Sequence, residues 1–120
     1  MTLLNLFHGE PHPQSFKQGH VIIHEGERGH LMYVVLDGYV EITIRGQLLD
    51  VLGPGGFFGE MALVDQGTRC ASARARSDCR LAAVDRARFQ FLVADSPDFA
   101  LEVMKTMAHR LRREMQLSAT

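Results

Sequence analysis

The stretch Gly53-Pro54-Gly55-Gly56-Phe57-Phe58-Gly59-Glu60-Met61-Ala62-Leu63 carries the most informative chemistry of the chain. Glycines allow close backbone approach, and a glycine-rich turn that runs into a helix-like segment exposes N–H groups able to hold an anion. Glu60 stands in that same segment, where a carboxylate beside a bare phosphate would repel it. Nine residues further on comes Arg69, whose planar fork suits a two-point grip on phosphate. Together these groups fit a ligand that presents both an anion and a hydroxyl donor. The phosphate and ribose of a nucleotide do so: Glu60 accepts from a sugar hydroxyl, while the amides from Gly59 onward and Arg69 take the phosphate. Taken singly, each feature has a plainer meaning, because a glycine-rich segment is most often only a turn and a glutamate near an arginine only an ion pair.

The elements that would hold these groups are legible as two patterns. Over the first two-thirds, Gly19, Gly26, Gly29, Gly38, Gly46 and Gly53 separate short runs rich in β-branched and aromatic residues, at Val21-Ile23, Leu31-Leu36, Tyr39-Ile44 and Leu48-Leu52. Asp37-Gly38 and Arg45-Gly46 read as hairpin turns. Val40, Ile42 and Ile44 alternate with Glu41 and Thr43, as in a half-buried strand. A further strand is expected over 69–75, opened by Arg69, with small Ala71 and Ala73 keeping it low beside a ligand. Short strands at such spacing indicate an antiparallel roll. The last third changes period. Asp85 can cap a helix carrying Phe89, Leu92 and Val93, ending near Ser96. Ser96-Pro97-Asp98 then opens a second helix with a capping serine, a first-turn proline and a carboxylate at the positive dipole end. Its apolar stripe is Leu101, Met104, Ala108, Leu111 and Met115. A second line of mixed polarity, Val103, Met107, Arg110, Glu114 and Leu117, runs beside it.

At 120 residues the chain has the size of a single domain, with a roll over about 14–84 and helices over about 85–95 and 97–117. A formal net charge of −1 supplies no global field to collect nucleic acid or anionic lipid. The basic run from His109 through Arg110, Arg112 and Arg113 reads as a solvated helix face. Two cysteines, Cys70 and Cys79, make neither a disulfide framework nor a metal set, which fits a reducing compartment. The opening residues lack a basic lead, and no apolar run approaches membrane-spanning length. The expected setting is the cytoplasm, with no membrane contact.

Phe58-Gly59-Glu60-Met61-Ala62-Leu63, the five residues Val64-Asp65-Gln66-Gly67-Thr68, and then Arg69-Cys70-Ala71-Ser72 resemble the phosphate-binding cassette of cyclic-nucleotide-binding domains. Upstream, Phe16-Lys17-Gln18-Gly19, Glu25-Gly26, Gly29, Tyr33, Gly38 and Val40 also sit where that family's roll places such residues. The resemblance implies a mainly β member of the α+β class: an antiparallel, jelly-roll-like β-roll with two C-terminal helices. It implies that Glu60 takes the ribose 2′-hydroxyl and Arg69 the cyclic phosphate. Backbone near Gly59, Ala62 and Ala71 completes the cradle, with Phe58, Met61 and Cys70 beside it. The implied ligand is cAMP, with cGMP as the alternative. Cys70 departs from the small or hydroxylated residues common at its position and brings only a weak hydrogen-bond donor. The implied mechanism is closure of the last helix over the base, with Arg110, Leu111 and Glu114 as its capping candidates.

Other readings are weaker. His8, His12, His20, His24, His30 and His109 show neither helical zinc spacing nor the His-x-His cluster of a cupin-type enzyme. No activated nucleophile or acid–base carboxylate pair is present, so an enzyme is not expected, and neither is a cofactor. Tyr33, Phe57, Phe58 and Phe89 are expected in the core. Two further readings keep the roll: the sensor half of a transcription regulator, without DNA contact by this chain, and a ligand-free dimerising scaffold. Expected partners are the nucleotide, a second copy through the last helix, or an effector protein.

Overall fold

The computed structural model describes residues 3–64 and 68–118. Asp65, Gln66 and Gly67 of the cassette and the side chain of Leu117 lie outside the described residues. In chain order the elements are α1 (Leu3–Leu6), β1 (Gln14–Phe16), β2 (Val21–Ile23), β3 (Met32–Asp37), β4 (Val40–Ile44), β5 (Gln47–Leu52), β6 (Phe57–Phe58), α2 (Met61–Val64), β7 (Ser72–Ala75), β8 (Cys79–Val84), α3 (Arg86–Asp95) and α4 (Pro97–Ser118).

The described strands form two antiparallel four-stranded sheets, ordered β1-β8-β3-β6 and β2-β7-β4-β5. The unbroken apolar run of β3 has a clear cause. Tyr33 and Val35 face the second sheet, where they pack with Val40, Phe58, Ala73, Ala75, Cys79 and Leu81. Met32 and Val34 face the other way, onto Phe7, Phe57, Phe99 and Val103. A strand buried on both faces cannot alternate in polarity. The first sheet is therefore a shared wall, with the roll interior on one side and the helices on the other. Successive residues of β6 divide accordingly, Phe57 to the helices and Phe58 to the roll.

Both hairpin turns take the geometry their glycines suggest, with φ of +82° at Gly38 and of +50° and +79° at Arg45 and Gly46. The Asp85 side chain accepts from the Arg88 N–H and starts α3, while the Ser96 N–H closes it on the Leu92 carbonyl. Phe89 is partly buried against the helix-side core, and Phe91 is 64% exposed.

The faces of α4 differ from the stripe read in the sequence. Phe99 and Val103 are buried and Met107 packs against them. Leu101, Met104, Leu111 and Met115 are all more than half exposed, and Ala108 is exposed with them. Val103, Met107 and Arg110 of the mixed line face inward, Arg110 onto the buried Glu60, whereas Glu114 is exposed. No helix of the described residues is long and apolar enough to cross a membrane.

Candidate functional site

Arg69 does not open a strand as expected; β7 begins at Ser72. Arg69 instead follows an isolated bridge between Arg28 and Thr68. Its N–H donates to the Glu27 carbonyl and its carbonyl accepts from the Gly26 N–H, both at 2.7 Å. Residues 26–28 thus fix the backbone from which the side chain projects. The guanidinium donates from Nη1 to the Gly59 carbonyl at 2.9 Å and from Nη2 to the Leu31 carbonyl at 2.8 Å. Only 9% of Arg69 is exposed. Burial draws its pKa down, opposed by Tyr33, Glu60 and Cys70.

The seat exists because two neighbours are glycines. Gly59 has φ of +83°, and a Cβ there would fall 2.8 Å from Arg69 Nη1. At Gly29 a Cβ would fall 2.2 Å from Arg69 Nε and 2.3 Å from Cζ. The guanidinium occupies the space a side chain at position 29 would need.

Glu60 follows Gly59 directly and is buried. Its Oε1 accepts from Arg110 Nη1 at 2.5 Å. Arg110 also donates from Nη2 to the Phe57 carbonyl, and its Cζ lies 4.9 Å from the Phe57 ring centroid. Burial pushes the Glu60 carboxyl above its ordinary range, against the charge and hydrogen bond of Arg110 and the N–H groups of Glu60 and Met61. A carboxylate held out of water carries acceptor sites only, which suits it to a hydroxyl donor.

The other expected site residues divide. Ala62 is buried, and its N–H donates to the Gly59 carbonyl at 3.3 Å. Phe58 is a wall of the roll interior, stacked on Tyr33 with ring centroids 5.4 Å apart. Ala71 is half-buried, whereas Met61 and Cys70 are exposed. Of the three capping candidates, Arg110 reaches the cassette, while Leu111 and Glu114 are exposed. A second contact from α4 was not anticipated: Arg113 Nη1 lies 3.3 Å from Asp50 Oδ2, and its Nη2 donates to the Leu49 carbonyl at 2.9 Å. The signal for Asp50 is a carboxylate two residues before Leu52, on the same side of β5.

Glu60 lines neither of two cavities that flank the cassette. One, of about 470 Å³, lies between α1, the Gly53–Gly56 turn, β5 and α4 and is bordered by Asp50, Leu52, Phe57, Arg110 and Arg113. The other, of about 150 Å³, is bordered by Ile23, His24, His30, Tyr33 and Arg69. Among the described residues, no three His, Cys, Asp or Glu side chains gather as a metal set.

Comparison with known proteins is consistent with this geometry. The family model described as "Cyclic nucleotide-binding domain" matches residues 13–96. The CRP-like cAMP-activated global transcriptional regulator of Mycobacterium tuberculosis is 34% identical, over 84% of this chain and 47% of its own length. The Thermus thermophilus Catabolite Activator Protein superposes with a TM-score of 0.79 and 35% identity, over 94% of this chain and 61% of that one. A structure described as "cAMP bound PfPKA-R (141-441)" has a TM-score of 0.71 and 25% identity, over 85% of this chain and 36% of its own. The chain spans about half the length of the curated relatives it matches.

Proposed function

We propose that this chain, which belongs to the cyclic nucleotide-binding domain family, is a sensor module that binds cAMP and reports it through α4. The observation that carries this reading is the arrangement about Gly59. Arg69 is fixed on the Gly59 carbonyl, and Glu60 is the next residue. The guanidinium uses one N–H of Nη1 and one of Nη2 on carbonyls, which leaves further N–H groups for a phosphate. Glu60 accepts from the ribose 2′-hydroxyl, and backbone near Ala71 and Cys70 completes the phosphate cradle. That the Mycobacterium tuberculosis relative is a cAMP-activated regulator, and that one structural neighbour is cAMP-bound, favours cAMP as the ligand.

The signalling step follows from how α4 is held. Phe99 and Val103 anchor its first half in the core, whereas the second half is tied by Arg110 and Arg113. The ribose hydroxyl and Arg110 share the Glu60 carboxylate, so ligand binding alters the ties of the second half alone. A ligand that prefers one placement of that half shifts its population. The relatives are transcriptional regulators about twice as long, which favours a sensor portion of such an architecture as the setting. Two features underlie the assignment of no catalytic role: the absence of a nucleophile with a base among the site residues, and Glu60 being already engaged by Arg110.

Calorimetric titration with cAMP, cGMP and a cyclic dinucleotide tests the reading. Saturable binding of cAMP at one site per chain is expected. Arg69→Ala should weaken it by roughly 2–5 kcal/mol, since truncation strands the phosphate charge. No binding of either mononucleotide, or unchanged affinity in a folded Arg69→Ala protein, overturns the assignment.

A further inference from the structure

We propose that the cavity of about 470 Å³ between α1 and α4 is a second ligand site, apart from the nucleotide site. The ligand it takes is a small organic ammonium ion with an apolar body. Its place in the fold separates the two sites. Leu3 and Phe57, which border it, belong to the helix-side core, whereas Tyr33 and Phe58 face the roll interior. Among the described residues, neither Glu60 nor Arg69 borders it.

Two kinds of wall meet there. Leu3 and Leu4 of α1, Leu52 of β5, and Pro54 and Phe57 around the glycine turn are apolar. The polar wall comes from α4, where Glu102, Thr106, His109 and Arg113 recur at intervals of four, three and four residues. Such spacing sets them in one line along the helix. The line runs beside the core residues Phe99, Val103 and Met107 and away from the exposed stripe of Leu101, Met104 and Leu111. The helix thus has a third face that neither the core nor the stripe accounts for. A space of this size, mostly apolar with a few polar groups on one side, is of the kind that holds small molecules.

Charge decides the class of ligand. Both arginines on the border are matched, Arg110 by Glu60 and the Phe57 carbonyl, Arg113 by Asp50 and the Leu49 carbonyl. Glu102 is half-buried, and its side chain makes no hydrogen bond or ion pair among the described residues. It is the unmatched carboxylate of the wall. An ammonium group there supplies its partner, and the Thr106 hydroxyl, one turn along, is a second acceptor. The body of the ligand then lies against Leu3, Leu4 and Leu52. A carboxylate ligand would instead meet guanidinium groups already neutralised, with Glu102 and Asp50 repelling it from either side.

The test titrates the full chain, followed by NMR, with phenethylamine and with hydrocinnamate, which carries a similar aryl body with the charge reversed. The amine should bind saturably at one site and be preferred by about tenfold or more, as it gains a hydrogen bond to a charged group. Shifts should centre on α1, Phe57 and residues 102–113. Glu102→Gln keeps the shape of the side chain and should weaken the amine by about fivefold to tenfold. Thr106→Phe sets a ring into the space and should abolish binding. Amine and cAMP should bind the same chain at once. Absence of saturable amine binding, equal binding of the two probes, an unchanged affinity in Glu102→Gln, or displacement of the amine by cAMP overturns the proposal. None of these results touches the nucleotide reading, which stands or falls on Arg69-dependent binding of cAMP.

Discussion

The guanidinium of Arg69 lies flat against the α-carbon of Gly29, in the volume that a side chain at position 29 would fill. Gly29 is thereby a positioning residue for the phosphate grip. The atoms it would displace are the far end of a flexible side chain, so the backbone need not move. Gly29→Val should leave the fold intact and cost about tenfold or more in cAMP affinity, as one hydrogen bond to a charged group is misplaced. In an Arg69→Ala background the same change should cost nothing further. Additive losses in that double-mutant cycle would mean that Gly29 acts through something other than Arg69.

Glu60 gives the site a definite pH behaviour. Burial raises its carboxyl pKa in the folded chain despite Arg110, so the folded state holds this proton to higher pH than the unfolded state does. The group then favours folding below the unfolded value near 4.5, and that advantage is lost as pH rises through the raised folded value. Glu60→Gln removes the titration. Relative to this variant, the wild type should lose thermal stability as pH rises through that window and stay level above it. The ribose contact runs the opposite way, because the charged carboxylate accepts from the hydroxyl more strongly than the protonated acid does. The 2′-deoxy analogue should be weaker by roughly 1–3 kcal/mol near neutral pH, and the difference should shrink in acid. A 2′-deoxy penalty that does not change with pH would show that Glu60 faces another group.

How much of this was readable in the chain depends on whether local chemistry decided it. Asp85 sets the start of α3 by capping the Arg88 N–H, Pro97 and Asp98 stand in the first turn of α4, and the glycine turns set the hairpins. Glu60 and Arg69 could be paired from the sequence because the segment that carries them is nearly continuous, and the structure brings both to Gly59. The inner face of α4 was not. Its apolar contacts with the core stop near Met107, and beyond it the helix leans on Glu60 and Asp50 through arginines. A hydrophobic stripe marks an apolar partner, not a buried carboxylate fifty residues away. Arg69's backbone pairing with Gly26 and Glu27, beside the Arg28–Thr68 bridge, was hidden for the same reason, since nothing local announces a pairing across that distance.

Glu10 and Arg88 tie the first residues to α3. Arg88 Nη2 lies 2.6 Å from Glu10 Oε2, its Nη1 donates to the Ala83 carbonyl at 3.1 Å, and its Cζ stands 5.0 Å from the Phe7 ring centroid. Burial pushes the Glu10 carboxyl up, but the Arg88 hydrogen bond, the His12 N–H and the nearby positive charges outweigh it and leave the pKa lowered. The stability this supplies is present above the unfolded value of about 4.5 and is lost as pH falls through the depressed folded value. Arg88→Met should cost about 1–3 kcal/mol in urea unfolding near neutral pH, because it leaves a buried carboxylate without its main donor. The difference from wild type should narrow once Glu10 is protonated. A gap that stays constant into acid would assign the loss to the Arg88 packing on Phe7.

The exposed apolar side of α4 leads to the last expectation, that two copies of the chain pair through it. Leu101, Met104, Leu111 and Met115 are 60%, 56%, 57% and 62% exposed, and with Ala108 they recur at intervals of three and four residues. This is the spacing of a seam between two helices, with a small residue at its middle where backbones can approach. The core does not need the stripe, because Phe99, Val103 and Met107 already make α4's inner contacts. A contiguous apolar line on an otherwise charged helix is costly in water unless something covers it, and a like stripe from a second copy is self-complementary about a two-fold axis. Met104→Glu with Leu111→Glu should therefore turn a dimer into a monomer in sedimentation at micromolar concentration. Neither residue touches Glu60, Arg69 or Asp50 in the contacts described, so cAMP should still bind at one site per chain. Because Arg110 and Arg113 lie on the other side of the same helix, any coupling between dimerisation and ligand must pass through the pose of α4. Hydrogen exchange over residues 98–117 should then fall on adding cAMP more in the wild type than in the double variant. A wild-type chain that sediments as a monomer at high concentration, with unchanged exchange on adding ligand, would leave the stripe without a second copy as its partner.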